Sequence, residues 1–141
     1  MAVTDFDTKV AVVVRDDLAV WQRLNVTAFL MSAVTAHAGA GAVGEGYVDG
    51  DGVHYLPMLR QPVLIFEAGA AKLKTVHARA LRREVPIAVY TQDLFSTGND
   101  EDNRAAVRAS ATDDLDLVGI ALRAPHRDAD NVLRGLKRHA S

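Results

Sequence analysis

The stretch KVAVVV, residues 9–14, decides the fold of this 141-residue chain. Five of its six positions are apolar in an unbroken run, a pattern typical of a strand that is covered on both faces. We therefore predict a central strand here. Residues 18–37 follow without Gly or Pro and with apolar residues at helical spacing, which predicts a long buried helix. Asp16 or Asp17 is expected to cap this helix, and Gly39 to end it. Its inward stripe is predicted to comprise Val20, Leu24, Thr27, Met31 and Val34.

Further elements follow from similar patterns. They are strands at residues 62–66, 86–90 and 117–122, a surface hairpin at 47–55, an amphipathic helix at 70–83, a helix starting at Asn99, and a basic C-terminal helix at 128–139. Strands that alternate with helices indicate an α/β sandwich with helices on both faces of a short sheet. No linker rich in Pro, Gly or Ser interrupts the chain, so we expect a single domain over residues 1–141.

The composition excludes several classes of protein. A chain without Cys has neither disulfides nor thiolate metal sites, and it fits a reducing compartment, so we expect a cytoplasmic protein. The longest apolar run, at residues 10–14, is too short to span a bilayer, so no membrane partner is expected. A net charge of -2 disfavours non-specific binding to nucleic acid, although a local basic patch would still permit it.

Two glycine-rich motifs are expected to be structural. Residues 39–44, GAGAVG, match a dinucleotide-binding fingerprint, but a helix precedes them and a hairpin follows, which is the wrong context. Residues 49–52, DGDG, would start a calcium loop only if an acidic residue stood at position 60, where the chain has Arg60. The five His residues form no i, i+4 pair, so we expect neither a metal nor a cofactor.

The junction between the first strand and the first helix is the main candidate for a site, because ligands of α/β sheets gather at the carboxyl ends of strands. This junction, residues 15–25, is polar where a core would be apolar. Gln22, Asn25, Phe29 and Ser32 share one face of the predicted helix. A solvated first turn with capping residues explains the same pattern, and Trp21 suits a core as well as a ligand platform.

The order of these segments resembles the archaeal and eukaryotic peptidyl-tRNA hydrolase II family over nearly the whole chain. VVVRDDL at residues 12–18 is similar to the opening of that family, and QPVLIFEA at 61–68 to its second core strand. Gln92 and Asp93 resemble its Asp-bearing loop, and residues 119–137 its closing strand and helix. The stretch WQRLNVTAFL, residues 21–30, looks closer still to a group of uncharacterised bacterial proteins described as having this fold.

The resemblance implies a mixed, mostly four-stranded sheet within an α/β/α sandwich, and a homodimer. It also implies a Lys, a Gln and a His on the first helix, but residues 21–31 contain neither Lys nor His. Only Asp93 and the pair formed by Arg15 and Asp17 correspond to the family pattern. Because a missing acid or base typically costs a factor of about 10² to 10⁴ in rate, we expect a scaffold with a rebuilt site.

The sequence is compatible with three functions. The first is binding or cleavage of a small amide- or ester-like anion, with Asp93 as the base and Arg15 gripping the anion. The second is peptidyl-tRNA hydrolysis or tRNA binding, supported by basic residues near the C-terminus and opposed by many acidic ones. The third is a homodimeric interaction module without chemistry. For the first function, the expected ligand-binding residues are Arg15, Asp17, Trp21, Gln22, Asn25, Arg60, Gln61 and Thr97.

Overall fold

The computed structural model describes residues 6–138, which form one α/β unit. Its strands are β1 (Thr8–Arg15), β2 (Tyr47–Val48), β3 (His54–Tyr55), β4 (Val63–Ala68), β5 (Ile87–Thr91), β6 (Leu117–Pro125) and β7 (Lys137–Arg138). Its helices are α1 (Val20–Ala38), α2 (Ala70–Arg82), α3 (Asp100–Arg108) and α4 (His126–Val132). No helix within residues 6–138 has the length and apolar character needed to cross a membrane.

The main sheet is mixed and has the strand order β5-β6-β1-β4-β7. Four of its strands are long, and β7 adds a two-residue edge. The central position of β1 confirms the prediction from KVAVVV: β1 pairs in parallel with β4 and antiparallel with β6. Because β5 also runs antiparallel to β6, it has the same direction as β1. The carboxyl ends of β1, β4 and β5 therefore lie at one rim of the sheet.

Successive side chains of β1 enter two different cores, which explains why its sequence does not alternate. Val10, Val12 and Val14 pack with α1 on one face of the sheet. Ala11 and Val13 pack with α2 and α4 on the other. The sheet therefore lies between α1 on one face and α2 and α4 on the other, which confirms the predicted three-layer α/β/α sandwich.

The inward face of α1 differs from the prediction. Val26, Leu30 and Val34 are buried against the sheet, whereas Val20 and Leu24 are 72% and 66% exposed. Apolar residues occupy both sides of this helix, so their spacing fits two stripes equally well. The prediction selected the outer stripe at its N-terminal half, and for Val20 and Leu24 it is wrong.

The two ends of α1 are built by different means. Gly39 ends the helix as predicted, with a φ of 83° that favours glycine. At the start, the expected cap by Asp16 or Asp17 is wrong, because Ala19 occupies the N-cap position. The side chain of Gln22 reaches back one turn, and its Oε1 accepts a hydrogen bond from the Ala19 N–H at 2.9 Å.

The chain after β6 is the other departure. Residues 128–139 do not form one basic helix, because α4 already starts at His126 and ends at Val132. Gly135 then turns the chain with a φ of 84°, and β7 pairs antiparallel with β4. His139, the predicted helix end, lies outside the described residues.

The remaining predictions match the structure closely. In α2, Leu73, Val76, His77 and Ala80 are buried, while Leu81 is 47% exposed. The side chain of Asn99 caps α3 by accepting a hydrogen bond from the Asp102 N–H. The hairpin forms from β2 and β3, and residues 39–44 are the helix stop and loop that their context indicated.

Candidate functional site

Arg15 organises the rim where β1 and β5 end. Its Nε donates to Asp17 at 2.6 Å, and its Nη1 donates to Asp116 at 2.9 Å and to the Leu117 carbonyl at 3.3 Å. Its Nη2 donates to the Gln92 side chain at 3.2 Å. The loops after β1 and β5 therefore meet at this rim, as a site with both Arg15 and Asp93 requires. One side chain ties together three separate segments of the chain.

The surroundings of Arg15 leave it little capacity to hold a ligand anion. Burial acts to lower the pKa of Arg15, but hydrogen bonds and charge from Asp17 and Asp116 outweigh burial and raise that pKa. Two protein carboxylates already neutralise the guanidinium, and only 13% of its side chain is exposed. Asp17, which was expected as a possible cap of α1, holds Arg15 instead.

A row of aromatic rings continues from this rim along α1. Trp21 meets Phe95 edge-on with ring centroids 5.8 Å apart, Phe95 lies 5.2 Å from Tyr90, and Tyr90 lies 6.1 Å from Phe29. The Asn25 Nδ2 donates to the Tyr90 hydroxyl at 3.2 Å. Burial raises the pKa of Tyr90, and the bond from Asn25 opposes that effect. The tyrosine is therefore a neutral hydroxyl held within an apolar cluster.

Asp93 lies in the 3-10 turn Gln92–Ser96, and Thr97 directly follows it, but the two residues have different roles. The Asp93 carboxylate is exposed and has no hydrogen-bond or ion-pair partner among the described residues. The Thr97 hydroxyl donates to the Leu94 carbonyl at 3.0 Å and contacts the side chain of Asn103 at the start of α3. Asp93 is thus available to solvent, whereas Thr97 fixes the connection to α3.

Arg60 and Gln61 do not join this rim, so their predicted place in the site is wrong. Gln61 is buried just before β4, and its Nε2 donates to the Thr8 carbonyl at 2.9 Å. Thr8 begins β1 and Arg15 ends it, so the two ends lie roughly 23 Å apart at about 3.3 Å per residue. Arg60 binds the Gly41 carbonyl instead. β4 runs parallel to β1, which places the residues before β4 at the opposite end of the sheet.

The sequence did not reveal a groove of about 520 Å³ between α1, β5 and α3. Phe29, Val89 and Leu94 give it an apolar lining, and Tyr90 connects it to the aromatic row. The α3 side carries Arg104 and Arg108 along with Asp100 and Asn103. The predicted helix at Asn99 was correct, but its position over β5 depends on tertiary packing that no local pattern encodes.

The chain also matches known proteins along almost its full length. A family described as "Protein of unknown function (DUF2000)" matches residues 8–140. The chain belongs to the DUF2000 family. It is similar to a solved structure described as the protein of unknown function Atu0240 from Agrobacterium tumefaciens strain C58. The two are 43% identical with a TM-score of 0.94, over 96% of this chain and 100% of the other. None of the curated proteins matches.

In this DUF2000 chain, the described residues offer no cluster of His, Asp and Glu suited to a metal ion. His77, on α2, is 8% exposed and lies with Asp113, Lys74 and Arg82 around a small cavity of about 280 Å³. Burial lowers the pKa of His77, and the charge of Asp113 opposes that effect. We therefore treat His77 as a neutral residue of the α2 core.

Proposed function

We propose that this DUF2000 protein binds a small organic anion with an apolar body in the groove between α1, β5 and α3. The observation that carries this proposal is the pairing of an apolar lining with two arginines on one wall. A groove of about 520 Å³ falls within the usual range of roughly 300–1,000 Å³ for ligand sites, which are mostly apolar with a few placed polar groups.

The charged residues that α3 brings to the groove, Asp100, Arg104 and Arg108, carry a net positive charge, which favours an anion. Arg104 pairs with Asp100 one turn away, and both side chains are well exposed, so this pair costs little to rearrange. Arg108 has no acidic partner among the described residues. A planar guanidinium binds a carboxylate through two parallel hydrogen bonds, which favours carboxylates among the candidate anions.

The groove lies away from Arg15, and none of the expected site residues lines it, although Asn25 and Asp93 adjoin residues that do. Tyr90 lines the groove and accepts a hydrogen bond from Asn25. Leu94 lines it from the 3-10 turn that also carries Asp93. If the ligand is an amide or ester, the unpaired carboxylate of Asp93 is the candidate base for its cleavage, and loss of turnover in Asp93→Asn would test that role.

A pair of matched ligands tests the binding proposal. We expect phenylbutyrate to shift the NMR signals of β5 and α3 in the labelled protein, and to bind about fivefold more tightly than phenylbutanol, since an exposed charged contact is worth about 1 kcal/mol. The double variant Arg104→Ala/Arg108→Ala should remove that preference. Arg127→Ala, an exposed residue of α4, is the control and should keep it. Equal affinity for acid and alcohol, or shifts away from the groove, would overturn the proposal.

The finer assignment of the fold to the peptidyl-tRNA hydrolase II type, and a cytoplasmic location, are also proposals. The order of the similar segments and the mixed sheet with a central first strand support the former. The absence of Cys supports the latter. Binding of tRNA remains the competing function, and a gel-shift titration with deacylated tRNA at two salt concentrations distinguishes it, since phosphate contacts weaken steeply with salt.

A further inference from the structure

A separate cavity lies on the face of the sheet opposite α1, between α2 and the start of β6. It is the cavity of about 280 Å³ beside His77. One wall is the 3-10 turn Thr112–Asp114, continued by Leu115 and Leu117. The other wall is a single face of α2, whose residues have the spacing i, i+3, i+4 and i+7: Lys74, His77, Ala78 and Leu81.

His77 is the buried polar group of this cavity. It is 8% exposed, and its side chain has no hydrogen-bond or ion-pair partner among the described residues. Its ring nitrogens are not sealed off, because within residues 6–138 the Thr91 hydroxyl is the only fully enclosed polar side-chain atom without a partner. Buried polar groups normally have a partner, so a ring nitrogen that reaches a cavity without one is available to a ligand.

Two cations on α2 flank the ring. Lys74, Ala78 and Arg82 are spaced i, i+4 and i+8, so the small Ala78 lies between the two positive side chains. Neither the Lys74 nor the Arg82 side chain has a hydrogen bond or an ion pair in the part of the chain that the structure describes. Both side chains are exposed, so they can turn toward an ion in the cavity.

One carboxylate faces these donors. Asp113 lines the cavity, and it lies close enough to His77 for its charge to act on the ring. Asp114 and Asp116 line a neighbouring cavity instead, and Asp116 already pairs with Arg15. The lining therefore combines two cations, a polar ring and one acceptor, and its net charge is positive.

We propose that this cavity binds inorganic phosphate. The ion accepts hydrogen bonds from several donors, which Lys74, His77 and Arg82 supply. Near neutral pH it also keeps at least one P–OH group, and the Asp113 carboxylate accepts the bond that this group donates. A volume of about 280 Å³ is just below the usual range of roughly 300–1,000 Å³ for organic ligands, which favours a small ion. The proposal is independent of the ligand groove, since the two share no lining residue.

The carboxylate of Asp113 makes the cavity selective among anions. Sulfate and phosphate diesters have no proton near neutral pH, so Asp113 repels them instead of accepting a hydrogen bond. Two like charges about 4 Å apart in water weaken binding about fivefold, in addition to the lost bond. Phosphate monoesters are mostly dianions without a P–OH group at that pH, so they also fit less well than the free ion.

An NMR titration of the labelled full chain tests the proposal, with the ionic strength held constant by NaCl. We expect inorganic phosphate to shift the imidazole signals of His77 and the amide signals of residues 112–115 along a saturable curve. A few exposed charged contacts give a dissociation constant on the order of 1 mM. Sulfate should bind at least about fivefold more weakly. Tighter binding of methyl phosphate than of inorganic phosphate would overturn the assignment to the free ion.

Three variants identify the residues that act. Lys74→Met should weaken phosphate binding about fivefold, and Lys72→Met is the matched control, since Lys72 is a lysine of α2 that does not line the cavity. Asp113→Asn should remove the preference for phosphate over sulfate, because an amide can donate to either anion. Circular dichroism confirms that each variant is folded.

Four outcomes would contradict the proposal. Shifts that do not saturate, or that lie on α3 instead of α2, overturn the site, and so does a parent chain that binds sulfate as tightly as phosphate. An equal loss in Lys72→Met and Lys74→Met shows that only the general charge of α2 attracts the anion. A preference for phosphate that survives in Asp113→Asn overturns the role of Asp113.

Discussion

Gly119→Ala should destabilise the protein by forcing α1 away from the sheet. Gly119 lies in β6 directly beneath α1, where a Cβ would come within 2.5 Å of a Val26 methyl and 3.0 Å of a Leu30 methyl. Carbon atoms in contact normally stay about 3.5–4.0 Å apart, so the helix or the strand must move by about 1 Å. Overpacking of this kind costs about 1–3 kcal/mol. Alanine recovers about 0.4–1 kcal/mol by restricting the unfolded chain.

We therefore expect a net loss of about 1–2 kcal/mol in the free energy of unfolding of Gly119→Ala, measured by urea denaturation. For a chain of this size the midpoint of thermal unfolding should fall by about 2–8 °C. Val26→Ala alone should also destabilise, by roughly 1–3 kcal/mol. Combining the two should cost less than their sum by about 1 kcal/mol, because the new methyl occupies the space that the valine vacates.

Gly98→Ala is the matched control, since no heavy atom lies within 4 Å of its Cβ position. Its effect on stability should stay within about 0.5 kcal/mol. If Gly119→Ala proves as stable as the parent, or if the double variant shows the full sum of both losses, then Gly119 does not set the distance between α1 and the sheet.

Three shorter predictions concern the other sites. Arg15→Met should lower the free energy of unfolding by about 1–2 kcal/mol, because two carboxylates lose their common cation; Arg104→Met, in an exposed pair, should change it by less than about 0.5 kcal/mol. An equal effect of both would contradict the rim described above. Because burial lowers the pKa of His77, the unfolded chain binds its proton more readily, so stability should fall as the pH drops below 6.5. His77→Leu should flatten that dependence in urea denaturation at several pH values, and a profile like that of the parent would refute the buried neutral state. Peptidyl-tRNA turnover should be at least about 10²-fold slower than with an authentic hydrolase, because the first helix has neither Lys nor His at the corresponding positions; a comparable rate in a release assay would show that other residues supply the missing role.

The elements that could be predicted are those whose sequence pattern favours a single secondary structure. The unbroken apolar run of β1 is typical of a strand between two covering layers, and Gly39 follows a long helical pattern, which identifies it as a helix stop. The exposed face of α1 could not be predicted, because Leu24 and Leu30 belong to two different apolar stripes that fit the helical period equally well. β7 could not be predicted from the sequence either, since its two residues form a strand only by pairing with Phe66 and Glu67 of β4.

The candidate site, too, could be predicted only in part. The polar junction after β1 and the loop after β5 were expected at one rim, and the Arg15–Gln92 bond shows that they meet. The role of Arg15 was not predictable, because Asp116, which neutralises it, lies 101 positions away in the chain. The groove was missed for a related reason: Phe29 and Arg108 come together only once α3 packs beside β5.

The central position of β1 has a consequence for synthesis in the cell. Its antiparallel partner is β6, so Val10 pairs with Arg123 and Val14 with Gly119. At about 5–20 residues per second, the ribosome needs roughly 5–20 s to supply those partners after β1 has been made. During that interval the most apolar strand of the chain has at best β4 beside it, and its other edge stays open. Non-local pairing of this kind slows folding and exposes the nascent chain to aggregation. The yield of folded protein should therefore depend on chaperones that hold the first half of the chain until β6 emerges.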